Sequence, residues 1–377
     1  MLQPIKVAVV GCGMISEEYL KNMIEKFSIL DVVGCCDLDA EKATACAQQF
    51  GMEYMTMDEI CADPTIEIVV NLSAPPAHYA IIKNLLLHGK NVYSEKTLTV
   101  DLSEAKELVE LADEKGLYLG VAPDTFLGSS VQTARHAVKA GMIGKVTSCK
   151  AQVLRDRRIL AQVVPFTTKL GCGIGFDVGI YYLTALLSIL GPIELAAGFY
   201  AQNVHEDEHN DPSKPNYEEK YSVNSETIMS AAVRFSSGVL GTMMFNSDGI
   251  FPEQSELMLC GTEGVLTMGN PNDFGGKVYL QAKGNENRIE LPCIYGFSGN
   301  ERGLGVAEMA WAIRSKRPCR ANKEMAYHAL DVLHGIIESC QTSQFKKIDS
   351  SFRCMPPLPS GYLDENYYGA NQESALR

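Results

Sequence analysis

The chain has 377 residues, 46% hydrophobic and 21% charged, enough for about two domains at ~150 residues each and unlike a disordered chain or a staple-dependent miniprotein. Asp and Glu number 46 against 33 Lys and Arg, a formal charge of −13, so the overall field repels nucleic-acid phosphates and anionic membranes, and a small-molecule partner is expected. The 12 cysteines are scattered, with Cys35-Cys36 the only close pair and no C-x-x-C, which argues against a disulfide framework and for small core residues in a reducing compartment.

Met1 to Val10 lacks the long apolar region and small-residue cleavage site of a secretion signal, and Ile5 to Val10 reads as a buried strand. After Gly11-Cys12-Gly13, Ile15, Tyr19, Met23 and Phe27 recur every four positions, one face of a helix. Strands are predicted at 32–37, 66–72, 91–94 and 118–122, with helices at 40–50, 77–88 and 102–115 between them. That alternation is the rhythm of βα units feeding a parallel sheet.

The character then changes. Helices at 131–140 and 176–190 flank a strand at 146–154, and from about residue 194 glycine-punctuated strands dominate: 194–202, 221–235, 239–246, 256–260, 265–268, 277–281 and 288–291. Helices follow at 305–315 and 323–340. The apolar stretch around Leu183 to Leu190 is interrupted by Thr184 and Ser188 and is far too short to span a membrane, so a soluble, cytoplasmic protein is expected. The fold class is therefore α/β, with an α/β domain over 1–123 and an α+β domain, built on a largely antiparallel open sheet, over 124–348. An irregular arm over 349–377 carries Pro356-Pro357-Leu358-Pro359.

Gly11-Cys12-Gly13-Met14-Ile15-Ser16 lies between a hydrophobic strand and an amphipathic helix, where glycine allows a tight turn and close approach to a pyrophosphate at the helix N-terminus. Ser16 stands where a third glycine is usual. Asp37 ends the second strand, 24 residues after Gly13, placed to accept hydrogen bonds from the adenosine ribose hydroxyls. Together these predict a Rossmann dinucleotide-binding domain; a turn residue or helix cap is the alternative for Asp37. Its carboxylate would repel a 2′-phosphate and no arginine lies between 37 and 50, so NAD is favoured over NADP, with Lys42 the one residue pointing the other way.

Glu95-Lys96-Thr97 ends the strand at 91–94, on the sheet edge where ligands bind. Beside a positively charged nicotinamide and partly desolvated, the amine of Lys96 should lose affinity for its proton and become able to take one from a hydroxyl as hydride leaves the same carbon. A surface lysine paired with Glu95 is the alternative.

With Ala74-Pro75-Pro76-Ala77-His78, Glu95-Lys96-Thr97, Gly141-Met142-Ile143-Gly144-Lys145-Val146 and Gly173-Ile174-Gly175-Phe176-Asp177-Val178-Gly179-Ile180-Tyr181, the chain resembles the Gfo/Idh/MocA family of NAD(P)-dependent oxidoreductases, named for glucose-fructose oxidoreductase and inositol dehydrogenase. The resemblance implies a Rossmann domain followed by a domain whose open sheet lines the substrate site and commonly mediates oligomerisation, so a homo-dimer or homo-tetramer is expected. It implies Lys96 as the catalytic lysine and Asp177 as orienting substrate or lysine; Tyr181 stands where the family often has a catalytic histidine, and Thr97 replaces its proline. A tyrosine's ordinary pKa of ~10 makes it a poor base unless Lys96 depresses it, so the proton is given to Lys96 and hydrogen bonding to Tyr181, with Tyr181 as base the second choice. Gly11, Gly13, Met14, Ile15, Ser16, Asp37, Ser73, Ala74, Pro75, His78, Glu95 and Lys96 form the expected cofactor set, and the substrate is a sugar, glycoside or cyclitol.

Plainer roles stand beside these: a helix cap for Asp177, core aromatics for Tyr181 and Tyr182, a satisfied helix-start histidine for His78, and an internally paired cluster for Arg155 to Arg158. His205-Glu206-Asp207-Glu208-His209 matches the zinc-protease pattern H-E-x-x-H, but its acidic surroundings and the following Asn210-Asp211-Pro212 offer no amphipathic helix, so no metal site is expected there. A dinucleotide-binding redox regulator of weak activity is the second functional reading, permitted by Thr97 and Tyr181.

Overall fold

Where β-branched runs are flanked by turn residues the chain forms strands, and where apolar residues recur at three to four positions it forms helices. The computed structural model describes residues 3–249 and 252–358. In chain order the first elements are β1 (Ile5–Val10), α1 (Met14–Lys26), β2 (Leu30–Cys36), α2 (Ala40–Phe50), β3 (Glu53–Tyr54), α3 (Met57–Ala62), β4 (Ile68–Asn71), α4 (Pro75–Leu87), β5 (Asn91–Ser94), α5 (Leu102–Lys115), β6 (Leu119–Val121) and α6 (Ser129–Lys139). There follow β7 (Val146–Leu154), α7 (Arg158–Ala161), α8 (Ile180–Leu190), β8 (Ile193–Ala201), β9 (Glu206–Glu208), β10 (Lys220–Ser222), β11 (Ile228–Phe235) and β12 (Leu240–Asn246). The last are β13 (Gln254–Gly261), β14 (Gly264–Met268), β15 (Val278–Ala282), β16 (Ile289–Glu290), α9 (Leu304–Arg314), α10 (Lys323–Thr342) and β17 (Lys346–Lys347).

The chain forms two compact units. The first gathers the described residues up to Ser129 with Ile294–Tyr327. Its sheet has the order β3-β2-β1-β4-β5-β6 and every pairing is parallel. Strands buried on both faces read as continuous apolar runs, and β1 and β4 do so: each is buried along its length except at Lys6. The strand order reverses between β1 and β4, the switch point at which open α/β sheets bind ligands beyond their carboxyl ends.

The second unit comprises Ser130–Cys293 and His328–Pro357. Its main sheet runs β16-β15-β14-β13-β7-β12-β11-β8-β17, antiparallel throughout except for the β7–β12 pair. Alternation is clear on the central strands: Met229, Ala231, Val233, Met243 and Phe245 are buried, while Phe199, Leu240 and Met244 face outward. β9 and β10 form a separate antiparallel ribbon.

Several features differ from the sequence expectation. The units are not the contiguous spans 1–123 and 124–348, because Ile294–Tyr327 returns to the first: Val121 N–H donates to the Ala321 carbonyl at 3.0 Å, and Gly305 N–H donates to the Asp124 carboxylate at 2.8 Å. β3 and α3 were not anticipated; two and six residues are too few to show a periodicity. The strand expected over 221–235 is broken into β10 and β11 by the turn around Asn224-Ser225. The helix expected over 176–190 begins as a π-helical turn, Gly175–Gly179, before α8. The arm from Asp349 carries no regular element as far as Leu358, and its remainder lies outside the described residues.

Candidate functional site

The carboxyl ends of four parallel strands bring together the residues read as cofactor ligands: Gly11 to Ser16 after β1, Asp37 after β2, Ser73 to His78 after β4, and Glu95-Lys96 after β5. Gly11 has φ +99° and lies against the β4 exit, where a Cβ would sit 2.8 Å from the Leu72 carbonyl carbon and the Ser73 nitrogen, so no other residue fits. Gly13 is the N-cap of α1, and a Cβ there would point into open space, the room that a phosphate at a helix N-terminus needs. Met14 is exposed and Ile15 half-buried, whereas Ser16 is buried with its hydroxyl donating to the Gly13 carbonyl at 2.6 Å. Ser16 thus braces the turn from inside.

Asp37 accepts from Cys12 N–H at 2.7 Å and from Asp39 N–H at 3.0 Å, tying the glycine loop to the end of β2. It does not cap α2. Asp39 does, accepting from the N–H groups of Glu41 and Lys42, and Lys42 pairs with Asp39 at 3.5 Å. A carboxylate has about four lone-pair sites, so Asp37 retains acceptor capacity for two hydroxyls.

Asn71, at the end of β4, is buried; its amide donates to Ser94 Oγ at 3.0 Å and its carbonyl oxygen accepts from Ser73 Oγ at 2.7 Å. His78 is placed differently from the expected cofactor contact. It is fully buried, with Nδ1 2.6 Å from the Thr97 carbonyl and Nε2 2.9 Å from the Ser73 carbonyl, so it clamps the β4 and β5 exits together instead of presenting a ring to a ligand. Burial holds its pKa below the ordinary histidine value against the pull of both carbonyls.

Glu95 accepts the Tyr19 hydroxyl from α1 at 2.6 Å and the N–H of Lys96 at 3.0 Å, which orients the Glu95-Lys96 turn. The Lys96-Thr97 peptide bond is cis. Nearby, Asp124 is fully buried and burial pushes its carboxyl up to about 6. Sequence reading had passed over Tyr19 and Asp124. Tyr19 looked like one more apolar position on the α1 face, and Asp124 follows a loop with no motif.

Asp177 and Tyr181 belong to the second unit. Asp177 lies within the π-helical turn and caps neither that turn nor α8; Tyr181 is buried, 8% exposed, in the first turn of α8. Close approaches require glycines around them: before the helix a Cβ at Gly173 would come within 2.3 Å of the Glu226 carboxylate, and on it one at Gly179 would come within 2.5 Å of the Phe245 ring of β12. Asp177 lines a polar pocket with Arg155, Arg157, Cys172, Ser225 and Glu226. Glu226, which the sequence reading missed, accepts from Gly175 N–H at 3.2 Å; burial, with Asp177 adding to it, pushes its carboxyl up to about 7. The polar Asn224-Ser225 pair interrupting an apolar run was the available signal.

The arginines around 155–158 are paired, Arg157 with Asp207 and Asp248, Arg158 with Asp156 at 2.6 Å, and Arg155 with Glu253 at 3.6 Å. The H-E-x-x-H segment, whose acidic composition reads as an exposed loop, instead contains strand β9, paired with β10, and His209 stacks on Tyr221 with ring centroids 4.5 Å apart. Residues i and i+4 of a strand are ~13 Å apart, so His205 and His209 do not share an ion.

A family model described as an oxidoreductase family with an NAD-binding Rossmann fold matches residues 5–122, and the model of the Gfo/Idh/MocA C-terminal domain matches 131–267. An uncharacterized oxidoreductase of Schizosaccharomyces pombe is 29% identical over 194 residues, 50% of this chain and 53% of that protein. An inositol 2-dehydrogenase/D-chiro-inositol 3-dehydrogenase of Lactiplantibacillus plantarum is 29% identical over 114 residues, 29% of this chain and 33% of that protein. The chain thus matches about half or less of the length of these relatives. Among solved structures, the WlbA dehydrogenase from Bordetella pertussis in complex with NADH and UDP-GlcNAcA superposes with a TM-score of 0.76 at 17% identity, over 92% of this chain and 98% of that one. Among the described residues no helix is long and apolar enough to cross a membrane. With both of its domains matched in order along the chain, the protein belongs to the Gfo/Idh/MocA oxidoreductase family.

Proposed function

We propose that the protein is an NAD-dependent dehydrogenase acting on a secondary hydroxyl of a sugar, glycoside or cyclitol. The observation that carries the reading is the convergence of the glycine loop, Asp37 and Lys96 at one carboxyl edge of a parallel sheet. Gly11 lets the loop turn tightly against the β4 exit, Gly13 leaves room for the pyrophosphate, Asp37 takes the ribose hydroxyls, and His78 acts by positioning Ser73 and Thr97. Bound NAD supplies the hydride acceptor. Lys96 takes the hydroxyl proton, and Asp177 and Tyr181 hydrogen-bond hydroxyls of the substrate. The polar side chains around Asp177, among them Ser225 and Glu226, are of a kind that matches hydroxyls and is poor company for an apolar molecule. The inositol dehydrogenase and the UDP-sugar-bound dehydrogenase among the relatives point to the same substrate class.

A panel of pyranosides, free sugars and inositols, offered with NAD and NADP and followed by nicotinamide absorbance, tests this; no reduction with any polyol would refute it. Asp37 and the Lys42–Asp39 pair favour NAD. Asp37→Ser is therefore expected to weaken NAD binding by about 100-fold or more, the worth of two hydrogen bonds to a charged group at about 1.5 kcal/mol or more each, while weakening NADP less. Equal losses for both nucleotides in equilibrium titrations would show that Asp37 does not read the ribose.

The reading includes a homo-dimer or homo-tetramer built on the outward face of the large sheet, where Phe199 is 75% and Leu240 59% exposed. Light scattering should show Phe199→Glu dissociating at concentrations where the parent is assembled; a monomeric parent would refute this part.

A further inference from the structure

Three thiols that the cofactor reading leaves unused converge beside the glycine loop. Cys12 stands between Gly11 and Gly13, Cys35 lies at the end of β2, and Cys46 comes from α2; their sulfurs all lie within 4.8 Å of one another. Each is supplied by a different element, and the frame holding them is tied at several points. Gly11 N–H donates to the Cys36 carbonyl at 2.8 Å, Cys12 N–H to Asp37 at 2.7 Å, and the Cys35 thiol to the Ala43 carbonyl at 3.4 Å. Cys35 is fully buried while Cys12 and Cys46 are partly exposed, so the triangle has a rigid base and an approach from solvent.

An ion bound ~2.3 Å from each of three sulfurs holds them roughly 3.8–4.0 Å apart, a contraction of under about 1 Å from the observed bound and within the reach of small χ1 changes. Thiolates select soft ions over magnesium or calcium, which require oxygen. We propose that Cys12, Cys35 and Cys46 form a three-thiolate site for a thiophilic metal ion of the zinc class, which clasps the glycine loop to β2 and α2. Binding of a divalent ion forms three metal–sulfur bonds and releases three thiol protons to solvent with no change of oxidation state, and a water completes a tetrahedral shell.

The test uses the full chain, kept reduced, titrated with cadmium and cobalt(II) while the thiolate-to-metal charge-transfer band is followed. One equivalent should saturate the band, and zinc should displace the cobalt signal. The partners that merely orient a metal ligand are worth roughly 10- to 100-fold in affinity, so loss of a ligand in Cys46→Ser or Cys12→Ser should cost at least about 100-fold. Cys293→Ser, an exposed cysteine elsewhere, should change nothing. Circular dichroism confirms that each variant is folded; Cys46 is the less invasive site because it lies partly exposed on a helix surface. No stoichiometric band in the parent, or a band that persists in both ligand variants, overturns the proposal. No nucleotide or sugar is present, so this outcome and that of the dehydrogenase assay are independent.

Discussion

Lys96→Met is expected to bind NAD nearly as tightly as the parent while losing turnover, with kcat reduced by about 10²- to 10⁴-fold, the range contributed by a positioned general base. Methionine keeps the length of the stem and removes only the amine, so a loss is assigned to proton transfer and not to packing. The surroundings are built to hold that turn. β5 delivers it to the sheet edge, Tyr19 and the Lys96 N–H fix the Glu95 carboxylate on two sides, and His78 braces Thr97 from beneath. A thousandfold loss corresponds to about 4 kcal/mol of transition-state stabilisation. Steady-state rates beside an equilibrium NAD titration separate the two effects; activity within a few fold of the parent would remove Lys96 from the chemistry. In the same assay Tyr181→Phe should be the milder change, slowing oxidation without abolishing it, because only a hydrogen bond is lost.

Glu308→Ala should destabilise the first unit by about 3–5 kcal/mol, the cost of breaking a buried ion pair by removing one partner. Glu308 is 2% exposed on α9 and accepts Arg317 Nη1 at 2.5 Å, Arg320 Nη1 at 2.8 Å and Arg320 N–H at 2.7 Å. The substitution removes the buried carboxylate that both guanidinium groups share. Burial pushes the Glu308 carboxyl up, but the two arginines outweigh it and hold it below the ordinary glutamate range. A depressed carboxyl contributes stability that is complete above the unfolded-state pKa, about 4.3, and is lost as pH falls through the folded value. Denaturation midpoints should therefore fall on acidification in the parent more than in Glu308→Ala, and identical pH profiles would show that the triad contributes nothing.

β1, the glycine loop, α1 and Asp37 are read directly from the sequence because each is local: a strand of six apolar-rich residues, a turn that only Gly11 can make, and a helix with a four-residue repeat. Asp177 is legible through the family resemblance of its segment, whereas the close approaches that require the glycines beside it, Gly173 to Glu226 and Gly179 to Phe245, join residues far apart in the chain. His78 shows the limit. Its place in the motif is visible, but that its ring faces inward between two carbonyls depends on Thr97, 19 residues away.

The sequence by itself determined the alternating βα third, the change to an antiparallel sheet and the position of the glycine loop, because hydrophobic periodicity and glycine geometry act over neighbours in the chain. Only the tertiary structure decided that Ile294–Tyr327 returns to the first unit, that Glu226 stands beside Asp177, and that three scattered cysteines form one triangle. Those contacts join residues 11 to about 200 positions apart, and what selects them is burial and shape complementarity of whole surfaces, which leave no repeat or spacing along the chain to read.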